Sequence, residues 1–215
     1  VLGLNGSIAT SHPLAANAGL DILKKGGNAI DAAIAAAAAL NVVEPMSTGI
    51  GGDVFALIYI NSDSKIIALN GSGRSGSKAD LKYIKDNGFK EIPSEGPKSG
   101  LSVSVPGAVH AWEELSKKYG NFSLDTVLAP AIDLAINGFP ISEIIADYWS
   151  KSEEKLSING NCDFLINNKS PKFGDKFVNP NLGNTLKNIA ENGKKYFYHG
   201  EVPEKIISYL SKFDG

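Results

Sequence analysis

Ser11-His12-Pro13-Leu14-Ala15-Ala16-Asn17-Ala18-Gly19-Leu20-Asp21-Ile22-Leu23-Lys24-Lys25-Gly26-Gly27-Asn28 opens the stretch that decides the fold. An alanine-rich run from Ile30 to Leu40 follows it, then Thr48-Gly49-Ile50-Gly51-Gly52-Asp53 and the apolar string Val54 to Ile60. Two glycine-punctuated helices therefore lead into a glycine loop and straight on into a strand. A phosphate-cradling loop needs the reverse order, strand, glycines and then a helix whose N-terminus faces the anion. A nucleotide site is a poor reading here, and a close-packed turn is the better one.

Working outward, Ser11 is the expected N-cap of the first helix and Pro13 suits its first turn, where a missing N–H costs nothing. Gly26 and Gly27 end that helix, and Asn28 caps the next, running to about Leu40. Both are mostly apolar, which predicts helices sandwiched inside the protein. Val54–Ile60 and Ile66–Asn70 read as strands joined by the turn at 61–64, and their nearly continuous apolar character predicts a sheet covered on both faces. Beyond a small-residue loop carrying Arg74, the chain turns helical. Helices are expected near 79–86, from Pro106 to Lys118, over 126–135 after Ser123, over 141–156, over 184–191 and over 204–213. A polar stretch lies at 87–99 and a turn-rich one at 157–180.

The 215 residues are 43% hydrophobic and 20% charged with a net charge of −2, a globular balance with no concentrated basic face for nucleic acid. Cys162 is the only cysteine, so no internal disulfide exists, and it reads as a structural residue. His12, His110 and His199 are scattered without metal-ligand spacing, so no metal and no cofactor is expected. His12 and His110 read as hydrogen-bonded core or interface residues, and Tyr196-Phe197-Tyr198 as packing. The run 29–43 is interrupted by Asp31 and is too short to span a bilayer. Val1–Ile8 lacks the basic region of a secretory signal, which gives a cytoplasmic expectation.

The string from Ser11 to Pro45, with Gly49-Ile50-Gly51-Gly52-Asp53-Val54-Phe55, resembles the start of the large subunit of the γ-glutamyltransferase family. These are N-terminal-nucleophile hydrolases. Gly100 to Gly107, Ala131-Ile132-Asp133-Leu134-Ala135, Gly138-Phe139-Pro140-Ile141, Ala190-Glu191-Asn192-Gly193 and Phe197-Tyr198-His199-Gly200 follow in the family's order. The resemblance implies an α/β (α+β) fragment of a four-layer αββα sandwich. Residues 1–105 would supply helices and core strands, residues 106–215 a helical lobe, and the remainder of the fold would lie beyond 215. It also implies hydrolysis or transfer of a γ-glutamyl or related acyl group from a glutathione-like amide, and a small subunit cut from the same precursor as partner.

In that family a threonine that opens the small subunit is the nucleophile and its own α-amino group the base. This amine is about two to three units less basic than a lysine, so it can accept the hydroxyl proton near neutral pH. Thr10, Thr48, Thr126 and Thr185 lack the family's context, so no catalytic residue is expected within the chain. The family's carboxylate-clamping arginine stands in an Arg-Glu-x-Ala-Pro string after the second strand. Here Ser72 takes its place and Arg74 sits two positions later. A serine cannot replace a bidentate guanidinium, and losing such a bond costs roughly 1.5–3 kcal/mol. Arg74 and Ser72 are thus the candidate substrate-binding residues, with a surface pairing of Arg74 to Asp80 as the competing reading. A glutaryl or cephalosporin acylase, and a scaffold that has lost the reaction, are the alternatives.

Overall fold

A computed structural model describes residues 3–157 and 163–215. In chain order the elements begin with α1 (Pro13–Lys24), α2 (Ala29–Val43), β1 (Val54–Ile60), β2 (Lys65–Gly71), α3 (Leu81–Asp86) and α4 (Ala108–Tyr119). Then come α5 (Leu124–Asn137), β3 (Phe139–Pro140), α6 (Glu143–Ser157), β4 (Lys176–Phe177), α7 (Pro180–Asn192), α8 (Lys194–Tyr198) and α9 (Glu201–Leu210). They fall into two compact units, one of residues 1–49 and 114–191, the other of residues 50–113 and 192–215. Cys162 lies outside the described residues.

The first unit is built on α2. Alanines at 32, 35, 36, 38 and 39 are buried, as are Ile34, Val42 and Val43. Small side chains let neighbouring backbones come close. A Cβ placed on Gly19 of α1 would stand 2.8 Å from the Ala32 carbonyl oxygen of α2. The capping box expected from Asn28 is present: its Oδ1 accepts from Ile30 and Asp31 N–H, while Asp31 accepts from Asn28 N–H at 2.9 Å. Asp31 is fully buried, and its carboxylate also accepts from Asn121 N–H at 2.9 Å and Phe122 N–H at 3.4 Å, which ties α2 to the turn before α5.

The N-cap of α1 is His12, where Ser11 was expected. Pro13 occupies the first helical position, so the residue directly before it must cap, and His12 Nδ1 accepts from Leu14 N–H at 3.1 Å. Ser11 instead donates to Glu44 Oε2 at 2.8 Å. Burial lowers the His12 imidazole below its ordinary value, with the Glu44 charge acting in the opposite sense.

A second cluster in this unit gathers Phe139, Trp149 and Phe177 edge to face, and Trp149 Nε1 donates to the Phe164 carbonyl at 2.8 Å. On α6, Glu153 closes the returning loop. Its carboxylate accepts from Ser170 N–H at 2.7 Å, from the Ser170 hydroxyl at 2.8 Å and from Lys169 Nζ at 3.0 Å. Led by the Ser170 backbone N–H, these bonds hold the Glu153 carboxyl down at about 2 against an ordinary 4.5. A carboxyl depressed by folding contributes stability above its unfolded value and loses it as the pH falls through its folded one. Glu153→Gln is therefore expected to flatten part of the acid decline of the urea midpoint between about pH 4.5 and 2. An unchanged acid limb would refute this role.

In the second unit β1 and β2 pair antiparallel, Val54 opposite Gly71 and Ile60 opposite Lys65. Gly71 lets α4 lie close, since a Cβ there would stand 2.8 Å from Ala111 Cβ. Among the described residues the sheet expected to be covered on both faces is half-buried on one. Phe55, Leu57, Tyr59 and Ile66, which share the other face, are 61–80% exposed. Near the end of the chain, Tyr83 donates its hydroxyl to Asp214, which also pairs with Lys78 at 3.3 Å and Lys98 at 3.5 Å. This cluster holds the 3-10 turn at 211–213 against the 3-10 helix Gly96–Ser102, whose first part the sequence reads as the end of a polar stretch.

Candidate substrate cleft

The end of β2 is braced from three sides. Asn70 Oδ1 accepts from Ser72 N–H at 3.0 Å, and the Asp53 carboxylate accepts from Gly73 N–H at 2.9 Å. Val105 N–H donates to the Arg74 carbonyl at 2.8 Å, and Ser75 bridges to Ser104. The extended segment 104–107 thus lies as a strap beside the loop. Two glycines allow the fit. A Cβ on Gly73 would stand 1.5 Å from the Val105 carbonyl oxygen, and one on Gly107 would stand 1.9 Å from the Gly71 carbonyl oxygen. The Gly52 carbonyl accepts from Gly107 and Ala108 N–H, both at 3.0 Å. Asp53 and Gly52 therefore serve as anchors, in keeping with the structural reading of the glycine loop.

Beside this brace is an open cleft of about 400 Å³. Ser72, Gly73 and Arg74 line it from the loop, and Val105, Pro106, Gly107 and His110 from the strap and the first turn of α4. Lys194, Tyr198 and His199 line it from α8 and its C-cap. The Tyr198 hydroxyl donates to the Pro106 carbonyl at 2.6 Å and accepts from His110 N–H at 3.2 Å. Burial raises the Tyr198 phenol above its ordinary value, while the His110 N–H pulls the other way. Tyr198 is thus a neutral hydrogen-bonding post in the cleft wall. Buried Glu113 accepts from Lys194 N–H and so fixes the start of α8.

Both residues expected to bind substrate, Ser72 and Arg74, border the cleft. Arg74 is exposed and makes no ion pair among the described residues. Asp80, its expected surface partner, instead caps α3 by accepting from Tyr83 N–H at 2.8 Å. No threonine is among the lining residues, and the Thr185 hydroxyl bonds within its own helix to the Asn181 carbonyl at 2.9 Å. His110 and Tyr198, read from sequence as core or packing residues, border the cleft, with Lys194 and His199 beside them. The signal that could have found them is the density of hydrogen-bonding side chains between Lys194 and His199. Among the described residues no group of three or more His, Cys, Asp or Glu could hold a metal ion, and no helix is long and apolar enough to cross a membrane.

The protein-family profile described as gamma-glutamyltranspeptidase matches residues 15–215. A glutathione hydrolase proenzyme of Bacillus subtilis is 40% identical over 100% of this chain and 37% of its own length. Among solved structures, gamma-glutamyltranspeptidase of Helicobacter pylori superposes with a TM-score of 0.89 at 34% identity, covering 99% of this chain and 61% of that one. Cephalosporin acylase from Bacillus halodurans does so with a TM-score of 0.84 at 42% identity, covering 95% of this chain and 39% of that one. The chain spans 37–40% of the length of the Bacillus subtilis relatives it matches.

Proposed function

Since the chain belongs to the gamma-glutamyltranspeptidase family, we propose that it forms part of the large subunit of an autoprocessed amide hydrolase and acyltransferase. Its substrate is a γ-glutamyl compound of the glutathione type, and its nucleophile is a threonine supplied by a segment outside these 215 residues. The observation that carries this reading is the meeting of Ser72 and Arg74, the two residues around the family's clamp position, in one small-molecule-sized cleft. The bare apolar face of the β1–β2 hairpin supports it too, as a surface on which the rest of the sheet would pack.

In the reaction the threonine hydroxyl gives its proton to that threonine's own α-amino group and attacks the amide carbon. The C–N bond breaks, the amine leaves, and an ester joins the acyl group to the threonine. Water or a second amine then takes the acyl group from that ester. This chain's part is to hold the donor still while that happens. Arg74 supplies a cationic donor to the donor carboxylate and Ser72 an uncharged hydroxyl donor.

A second reading, an acylase for glutaryl-type amides, is favoured by Ser72 in place of the clamp arginine and by the likeness to cephalosporin acylase. Assay of the processed protein on γ-glutamyl and glutaryl anilides, with Arg74→Ala alongside, decides between them. The expected result is faster γ-glutamyl hydrolysis and a rise in KM of roughly 10- to 100-fold in the variant, from losing a charged hydrogen bond. Preference for glutaryl anilide would select the acylase. Hydrolysis of neither would leave a scaffold without the reaction.

A further inference from the structure

The first helix begins on a titratable cap. His12 is 3% exposed, and its Nδ1 accepts from Leu14 N–H at 3.1 Å. A neutral imidazole accepts on one nitrogen and carries its proton on the other, so the proton sits on Nε2. Nε2 is buried and has no hydrogen-bond partner among the described residues. The cap is thus held with a stranded donor behind it. Pro13 has no N–H to offer, so Leu14 N–H is the first donor of α1 that a cap can reach. A second proton on the ring would go to Nδ1 and set N–H against N–H, which ends the cap. A place for the charged ring is close by. Ser11, one residue earlier, donates to Glu44 Oε2 at 2.8 Å, which brings a buried carboxylate up to the start of the helix.

We propose that His12 is a proton-driven latch at the start of α1: neutral, it caps the helix, and protonated, it leaves Leu14 N–H, turns to the Glu44 carboxylate and lets the first turn of α1 loosen. Two arrangements of one side chain give the two states, and the proton chooses between them. Glu44 is the charged group whose field acts on the ring. Residues 3–11 and 45–49 carry no charged side chain. On the elements packed against α1, Asp31 is tied to backbone N–H groups at the other end of α2, while Asp125 accepts from Ser123 and Asp133 from Asn137. On α1 itself Asp21 pairs with Lys24 at 3.4 Å, and Lys25 forms the far cap. Burial holds the imidazole below its ordinary 6.5, against the pull of Glu44. A histidine lowered in this way contributes stability above its unfolded value and loses it as the pH falls through that value toward its folded one. The latch is therefore shut at neutral pH and opens in acid.

Hydrogen exchange of the processed protein, corrected for the intrinsic pH dependence of the rate, reads the cap at the Leu14 amide. Protection there is expected to fall by about 5-fold between about pH 8 and about pH 5, the equivalent of losing an N-cap. His12→Asn supplies an acceptor that does not titrate, so its Leu14 protection is expected to stay level over the same range. Glu44→Gln removes the charge that receives the ring, and the loss of protection is expected to move to lower pH. NMR of isotope-labelled histidine is expected to place the His12 proton on Nε2 at about pH 8. A proton on Nδ1 there, or constant Leu14 protection in the wild-type protein, overturns the proposal without any variant having to fold. The same decline in His12→Asn overturns it as well, and an unmoved midpoint in Glu44→Gln overturns the transfer to Glu44.

Discussion

Gly73→Ala is expected to destabilise the chain by about 3 kcal/mol, the upper end of what overpacking costs, and to lower Tm by roughly 6–12 °C. The reason is backbone against backbone. The new methyl group would start 1.5 Å from the Val105 carbonyl oxygen and 2.6 Å from its carbon. No side-chain rotation relieves that contact, so the strap at 104–107 must move. Moving it stretches the Val105-to-Arg74 hydrogen bond and shifts the loop that carries the candidate clamp. The same variant is therefore expected to raise KM for carboxylate donors in the processed protein. Gly76→Ala, in the same loop with nothing within 4 Å of the added methyl, is the matched control and is expected to stay within about 0.5 kcal/mol of wild type. Equal urea midpoints for the two variants would refute the close fit of strap and loop.

Asp31→Ala carries the second large effect, about 4 kcal/mol. Three backbone N–H groups, those of Asn28, Asn121 and Phe122, point at one carboxylate that has no exposed surface. Removing the acceptor strands several buried donors, each worth about 1–3 kcal/mol when unsatisfied. Gly120 adds to the constraint, because a Cβ there would stand 2.6 Å from Asp31 Oδ1, so the chain around the site is already close. Asp31→Asn keeps the shape and one acceptor oxygen but turns an NH2 group toward a donor. Its expected cost is about half as large. Chemical denaturation of the three proteins checks the order, and a loss below about 1 kcal/mol for Asp31→Ala would contradict it.

These two residues also mark what a reader of the sequence could and could not see. Asn28 was legible as a cap, since an Asn just past a Gly-Gly pair and before an apolar run is a local signal. The wider duty of Asp31 was not, because Asn121 and Phe122 lie ninety residues on, and no period in the chain announces them. Ser11 was read as the cap of α1 by residue preference, whereas the fixed φ of Pro13 gives that place to His12. Apolar strands suggested a sheet covered on both sides, yet composition alone does not say which residues do the covering. Phe55 and Leu57 stand bare among the described residues.

The cleft divides in the same way. Ser72 and Arg74 were legible because the family's clamp lies in a short string that follows a strand. The remaining wall came from the strap and the first turn of α4, and from α8, more than a hundred residues later. There Tyr198 was read as packing, since an aromatic beside two others looks like core until its hydroxyl is seen spanning Pro106 and the His110 N–H. Gly73 and Gly107 were visible as glycines, but their reason is steric and tertiary: each faces a carbonyl oxygen of a segment distant in sequence.

N-terminal sequencing and intact mass of whatever co-purifies with this chain from its native gene test the central claim most directly. The account predicts a second polypeptide beginning with threonine, cut from the same precursor. A single uncut product, with no polypeptide that begins in threonine, would contradict it.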